Sequence, residues 1–172
     1  MDNSERIAVE IPKITLRPIG RIRTPFSVAT GTPIQSSAAQ GAEGTIEIFP
    51  EFAPGLQDIE GFDRLWLVYY FDRASDPQLI VRPYLDTTER GVFATRSPAR
   101  PNRIGFSAVR LLGVEENHLR IADVDMLDGT PLIDIKPYMP AFDHFLVERV
   151  GWYKNVSPAG AVADDRFERK VP

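Results

Sequence analysis

With 172 residues, 43% of them hydrophobic and charge of both signs scattered along the chain, the sequence can bury one sizeable core and excludes a disordered chain. It has no cysteine, which excludes disulfides, thiolate zinc sites and cysteine nucleophiles. Its two histidines, His118 and His144, lie apart in polar surroundings, so no metal site is expected.

The net charge of −4 argues against a general nucleic-acid binder. Between positions 82 and 110, however, Arg82, Arg90, Arg96, Arg100, Arg103 and Arg110 face only Asp86 and Glu89. That local excess of arginine can hold phosphates with modest, salt-dependent affinity. No apolar run approaches the roughly 18–20 residues that span a bilayer, and Met1–Arg6 lacks the basic and apolar sections of a signal peptide. The expectation is a cytoplasmic protein without a membrane partner.

In chain order, residues 1–13 read as a polar N-terminal tail. Ile14–Ile22 alternates loosely and ends at Thr24-Pro25, which predicts a strand. Thr30–Gly41 (TGTPIQSSAAQG) is a loop; it lacks the G-x-G-x-x-G spacing, so a Rossmann-type site is unsupported. Gly44–Phe49 alternates as a half-buried strand does. Pro50–Phe62 allows at most a short helical turn about Leu56–Ile59. Arg64–Phe71 (RLWLVYYF) predicts a central strand with its aromatics in the core. Leu79–Tyr84 and Val92–Thr95 are further candidate strands. Phe106–Val114 and Leu119–Val124 flank Glu115–His118 as a hairpin, and Thr130–Lys136 closes the series. Asp143–Lys154 fits either a helical face or an extended run, and residues 157–172 read as a dispensable polar tail. Seven or eight short strands with hardly any helix predict a mainly β domain, an antiparallel barrel or sandwich.

Two stretches carry chemistry. Gly91–Ser107 (GVFATRSPARPNRIGFS) projects Arg96, Arg100 and Arg103 from a path stiffened by Pro98 and Pro101, which suits an anionic or planar ligand. Asp125–Tyr138 (DMLDGTPLIDIKPY) joins an Asp128-Gly129 turn to a strand. By alternation, Asp134 and Lys136 share one strand face and Ile133 and Ile135 the other.

TRSPARPNRIG followed by LDGTPLIDIKPY resembles the TsaA/YaeB/TrmO family of S-adenosylmethionine-dependent tRNA methyltransferases. PIGRIRTPF, Pro33-x-Gln35 and GLQDIEGFDRLWLVYYF extend the likeness over Ile14–Tyr138. The resemblance implies a single antiparallel β-barrel domain with few short helices, over residues 14–156. It implies cofactor contacts at Gln35, Asp72, Arg73, Arg96, Phe106, Met126, Leu127, Asp128 and Gly129. Phe106 and Leu127 would wall the adenine, Arg96 would take the carboxylate, and Asp128 would accept from a ribose hydroxyl or an ammonium group. The catalytic candidates are Asp128, Lys136 and Tyr138, with the general base open between Asp128, Asp134 and water.

The implied partner is the anticodon stem-loop of tRNA, held by Arg100, Arg103 and Lys136. The implied acceptor is the exocyclic nitrogen of threonylcarbamoyl adenosine. A small-molecule or other RNA acceptor, or a module that binds the cofactor without turnover, are the alternatives. The family also implies a homodimer, for which Trp152 and Tyr153 are candidate anchors. This sequence departs from the family pattern R-S-P-H-R-P-N-P-I-G at Ala99 and Arg103, has Asp72 where histidine is common, and lacks the additional C-terminal domain of longer members. Those departures bear on the acceptor more than on the cofactor.

Overall fold

Strands with one apolar face can bury that face by curling the sheet around it, and six strands of this chain do so. The computed structural model describes residues 12–157 and 159–170. The barrel strands are β1 (Gly20–Arg23), β2 (Glu43–Ile48), β3 (Arg64–Tyr70), β6 (Ile104–Glu115), β7 (His118–Ala122) and β8 (Thr130–Pro137). They close in the order β1-β2-β7-β6-β3-β8, and the pairings are antiparallel. Outside the barrel, β4 (Ile80–Val81) and β5 (Arg90–Gly91) form a separate two-stranded ribbon.

The alternation that predicted these strands also fills the barrel. Leu65, Leu67 and Tyr69 of β3 point inward with Ile22, Ile46, Ile48, Val109, Leu119, Ile121 and Leu132, all buried. The 3₁₀ segments Pro50–Leu56 and Ile59–Gly61 bring Phe52, Leu56 and Ile59 against one end of this core. Gly105 decides the packing at the other end. A Cβ there would lie 2.4 Å from the Tyr69 ring and 2.8 Å from that of Phe71, so the two rings pack over β6 only because the position is glycine.

The structure corrects several expectations. The strand over Ile14–Ile22 shrinks to Gly20–Arg23; Pro18 cannot donate to a ladder, and Ile14 and Leu16 stay exposed. Val92–Ala94 is a 3₁₀ turn, because Val92 turns into a second apolar cluster with Val81, Ala99 and Phe167. Leu79–Tyr84 contributes only the two residues of β4. Trp66 lies on the barrel's outer face, not in the core, packing against Phe106 and Tyr138 with ring centroids 5.3 and 5.6 Å apart. Asp143–Lys154 is neither one helix nor one strand: α1 (Pro140–Asp143) ends at its first residue and a 3₁₀ turn covers Gly151–Asn155.

The largest correction concerns the C-terminal segment. Residues 159–170 run across the barrel loops as a strap. Gly31 and Ile34 donate their backbone N–H groups to the carbonyls of Ala163 and Ala161, and Ala163 donates to Thr32. Ser75 donates to Phe167 and Arg169 to Arg73, while Phe167 is only 5% exposed. A segment of polar composition is thus pinned by backbone ladders and one aromatic anchor, neither of which composition reveals. Among the described residues no helix is long and apolar enough to cross a membrane.

Candidate functional site

The barrel end at Tyr69 and Gly105, the loop over residues 29–35, the proline loop over residues 96–98 and the C-terminal strap enclose a cavity of about 160 Å³. Apolar side chains dominate its wall, among them Ile34, Phe71, Leu85, Met126, Leu127 and Phe167. Five charged residues also reach it: Asp72, Arg73, Arg96, Asp125 and Glu168. Such a mostly apolar concavity with a few convergent polar groups is the usual form of a small-ligand site.

Six of the nine sequence-predicted cofactor residues line it: Gln35, Asp72, Arg73, Arg96, Met126 and Leu127. Arg96 donates to the Gln35 side-chain oxygen, and its guanidinium also lies 5.3 Å from the centroid of the Phe106 ring. Arg73 is occupied by backbone oxygens, donating to Ser27 at 3.1 Å and to Asp128 at 2.6 Å.

The other three stand off the cavity wall. Phe106 is on the outer face, 47% exposed. The Asp128 carboxylate accepts from the Thr24 N–H at 3.1 Å and lies 3.7 Å from Arg23, so it fixes the end of β1. Gly129 takes φ of +81° in the turn and donates to the Ile22 carbonyl.

The remaining candidates divide. Lys136 pairs with Asp134 at 2.8 Å on the outside of β8, and the pair raises the lysine pKa by hydrogen bond and charge. Tyr138 lies beside it against Trp66, so Trp66, Phe106, Tyr138 and Lys136 form one aromatic and basic outer face. Arg100 turns into its own loop, donating to the Thr95 carbonyl at 2.9 Å and the Val92 carbonyl at 3.2 Å. Arg103 bonds Asp76 at 3.2 Å with its side chain only 12% exposed. Its φ of +48° is closed to the proline of the family pattern, so this loop follows its own path. Ala99 is fully buried with Val81, Val92 and Phe167; the departure from histidine serves apolar packing beneath the strap. Trp152 donates its indole N–H to Ala94 and stacks on Tyr153 with centroids 3.8 Å apart, and both rings line the cavity.

Sequence reading missed a half-buried acid of the site. Asp125 sits in the cavity wall and accepts a 2.6 Å hydrogen bond from Ser107, whose oxygen lies 3.0 Å from the Tyr69 hydroxyl. Burial pushes the Asp125 carboxyl up to about 6, against the opposing pull of the Ser107 bond, the amides of Asp125 and Ser36, and the Arg96 charge. Tyr69 is raised well above the ordinary phenol range, first by burial and then by the Asp125 charge. The available signal was an acid set between the apolar Val124 and Met126. Among the described residues no group of three or more His, Cys, Asp or Glu side chains could hold a metal ion.

Comparison with known proteins matches this architecture. The model of the tRNA-methyltransferase O N-terminal domain matches residues 21–144. A Pyrococcus abyssi protein named a probable S-adenosyl-L-methionine-binding protein is 54% identical over 153 residues, covering 88% of this chain and 83% of that one. The mouse tRNA (adenine(37)-N6)-methyltransferase is 34% identical over 143 residues, which cover 79% of this chain but only 33% of the mouse enzyme. The crystal structure of TrmO from P. aeruginosa superposes with a TM-score of 0.70 at 38% identity, covering 84% of this chain and 63% of that one. The chain therefore belongs to the tRNA-methyltransferase O family, whose N-terminal domain its barrel represents.

Proposed function

We propose that the cavity binds S-adenosylmethionine and that the protein methylates the exocyclic nitrogen of threonylcarbamoyl adenosine, next to the anticodon of tRNA. The residues present fit the cofactor: Ile34, Phe71, Met126 and Leu127 offer an apolar slot for the adenine, and Arg96 and Asp125 offer one charge of each sign for the amino-acid end. When bound, the cofactor supplies a methyl carbon on a sulfonium ion, open to in-line displacement. The chain's part is to align and to exclude water. The strap carrying Phe167 and the stacked Trp152–Tyr153 pair close the cavity over its ligand.

The observation that carries this reading is the double placement of Arg96. It lines the cavity and also covers the Phe106 ring, so a donor inside and a planar acceptor outside meet at one side chain. On the outer face, Trp66, Phe106 and Tyr138 give a base something to stack on, and Lys136 reaches a carboxylate or phosphate. Asp128 acts by holding β1 and Arg73 in place. Arg100 and Arg103 shape the proline loop, which leaves Lys136 and Arg96 as the cations nearest the acceptor.

The protein acts as a homodimer in this reading. Trp152 and Tyr153 are engaged within the chain, so the contact passes to Phe142 of α1 and to Phe145, Leu146 and Val147 just after it, which are 67–95% exposed. A second copy of that apolar strip is its partner.

The test is methyl transfer from labelled S-adenosylmethionine to tRNA from cells with and without the threonylcarbamoyl modification. Transfer to the modified tRNA alone is expected. Equal transfer to both defeats the modified-base reading. Cofactor binding without transfer to either favours the binding-module alternative.

A further inference from the structure

Asp125 and Arg96 carry opposite charges into one cavity, and among the described residues neither stands in an ion pair. Their side-chain hydrogen bonds go to neutral partners: Arg96 donates to the Gln35 amide oxygen, and Asp125 accepts from Ser107 at 2.6 Å. The other charges of the wall are differently placed. Arg73 is spent on two backbone oxygens, Asp72 lies 4.0 Å from the Arg73 Nε, and Glu168 belongs to the strap. A carboxylate and a guanidinium that share an apolar cavity without pairing are a recognition set for a zwitterion. The carboxylate takes an ammonium group and the planar guanidinium takes a carboxylate.

The Asp125 side chain is held for this task. An ionised Asp125 only accepts, so the Ser107 hydroxyl spends its single proton on the carboxylate. The 3.0 Å contact must then be donated by Tyr69. Tyr69 and Ser107 are buried on the adjacent strands β3 and β6, which pair over seven residues. The relay Tyr69–Ser107–Asp125 thus fixes the rotamer of an acid on an irregular segment that no ladder holds.

We propose that Asp125 holds the α-ammonium group at the amino-acid end of the cofactor while Arg96 holds its α-carboxylate, with Ser107 and Tyr69 as the residues that position Asp125. The inference rests on the reading of the cavity as a cofactor site and assigns the ammonium subsite within it. It makes binding pH-dependent. The titratable and charged groups that share the cavity wall with Asp125 are Tyr69 on β3, Arg96 on the proline loop, Asp72 and Arg73 after β3, Tyr84, Tyr153, and Glu168 on the strap. The three tyrosines are all raised and stay protonated below pH 8, and the arginines stay charged. Among the described residues Asp72 and Glu168 are the other carboxylates of the wall, so a pH response that survives in Asp125→Asn is assigned to them and not to Asp125.

The experiment is calorimetric titration with three ligands: S-adenosylmethionine, S-adenosylhomocysteine and 5′-methylthioadenosine. The second keeps the amino acid without the sulfonium charge, and the third lacks the amino acid. For the wild type, affinity for the first two should fall about tenfold from pH 7.5 to pH 5, as Asp125 protonates, while that for the third stays level. Asp125→Asn should weaken the first two about tenfold to a hundredfold, flatten their pH profile and spare the third. Ser107→Ala should weaken the first two by less.

Equal weakening of 5′-methylthioadenosine would overturn the inference, since Asp125 would then serve the nucleoside or the fold. Weakening of S-adenosylmethionine alone would also overturn it, by placing the carboxylate at the sulfonium. If Asp125→Asn does not fold, the wild-type pH series with the three ligands still decides. A wild type that binds none of the three overturns the cofactor reading itself and this inference with it.

Discussion

The Arg96 guanidinium lies 5.3 Å from the centroid of the Phe106 ring while it lines the inner cavity, so one side chain joins the ligand site to the barrel's outer aromatic face. A cation over an exposed ring contributes roughly 0.5–1 kcal/mol, and a charge-assisted hydrogen bond about twice a neutral one. Arg96→Ala should therefore weaken S-adenosylmethionine by about 1–3 kcal/mol. Arg96→Lys should restore part of the cofactor affinity but not the planar stacking, which calorimetry and methyl-transfer rates on the same preparations would resolve. Unchanged affinity in a folded Arg96→Ala protein would remove it from the site.

Phe167 anchors the C-terminal strap in a cluster with Val81, Val92 and Ala99, and its ring meets Tyr84 edge-on at 5.1 Å. Phe167→Ala should cost about 3–5 kcal/mol if the strap unfolds only with the whole domain. If the strap detaches locally, the global transition will hardly move, and proteolysis after residue 157 will accelerate instead. In both cases cofactor affinity should drop, because Ala163, Phe167 and Glu168 are cavity wall.

Arg100 satisfies carbonyls inside its own loop. Arg100→Glu should then lower cofactor affinity together with any tRNA methylation, since the loop that presents Arg96 loses its internal brace. A variant with normal cofactor affinity and impaired transfer to tRNA would return Arg100 to the role of a phosphate contact. Parallel calorimetry and transfer assays distinguish the two outcomes.

Desolvation of the half-buried Asp125 carboxyl also makes stability depend on pH. Its folded-state pKa of about 6 lies above the ordinary value of 3.8, so the folded protein binds more protons than the unfolded chain between those limits. Stability from this group is full below about pH 4 and is lost as pH rises through 6, by about 3 kcal/mol in all. Asp123 runs the other way: the hydrogen bond and charge of Arg110 lower its pKa, and its contribution is lost in acid. Urea midpoints of the wild type and Asp125→Asn should therefore diverge between pH 4 and pH 7, the variant gaining on the wild type as pH rises. Parallel curves would contradict the burial of an ionisable Asp125.

If Phe142, Phe145, Leu146 and Val147 form the contact with a second copy, Phe145→Asp with Leu146→Asp should give a monomer by light scattering at micromolar concentration. A wild-type monomer under the same conditions would defeat the dimer.

Sequence by itself determined the barrel strands and named several residues that line the cavity. Period-two alternation over Gly44–Phe49, Arg64–Phe71, Phe106–Val114 and Thr130–Lys136 is a local property, and burial of one strand face follows from it wherever the strands pair. The motif residues Gln35, Asp72, Arg73, Arg96, Met126 and Leu127 fell on the cavity wall for a related reason: loops leaving one barrel end must share that end. Tertiary structure alone decided the rest. Whether Arg100 faces solvent or its own carbonyls, whether Asp128 faces the ligand or Thr24, and whether a polar C-terminal segment drifts or seals a cavity are questions of pairing between distant segments. Asp125 shows this most plainly, because its chemistry comes from Tyr69 and Ser107, which lie 56 and 18 positions away in the chain and become its neighbours only when β3 and β6 pair.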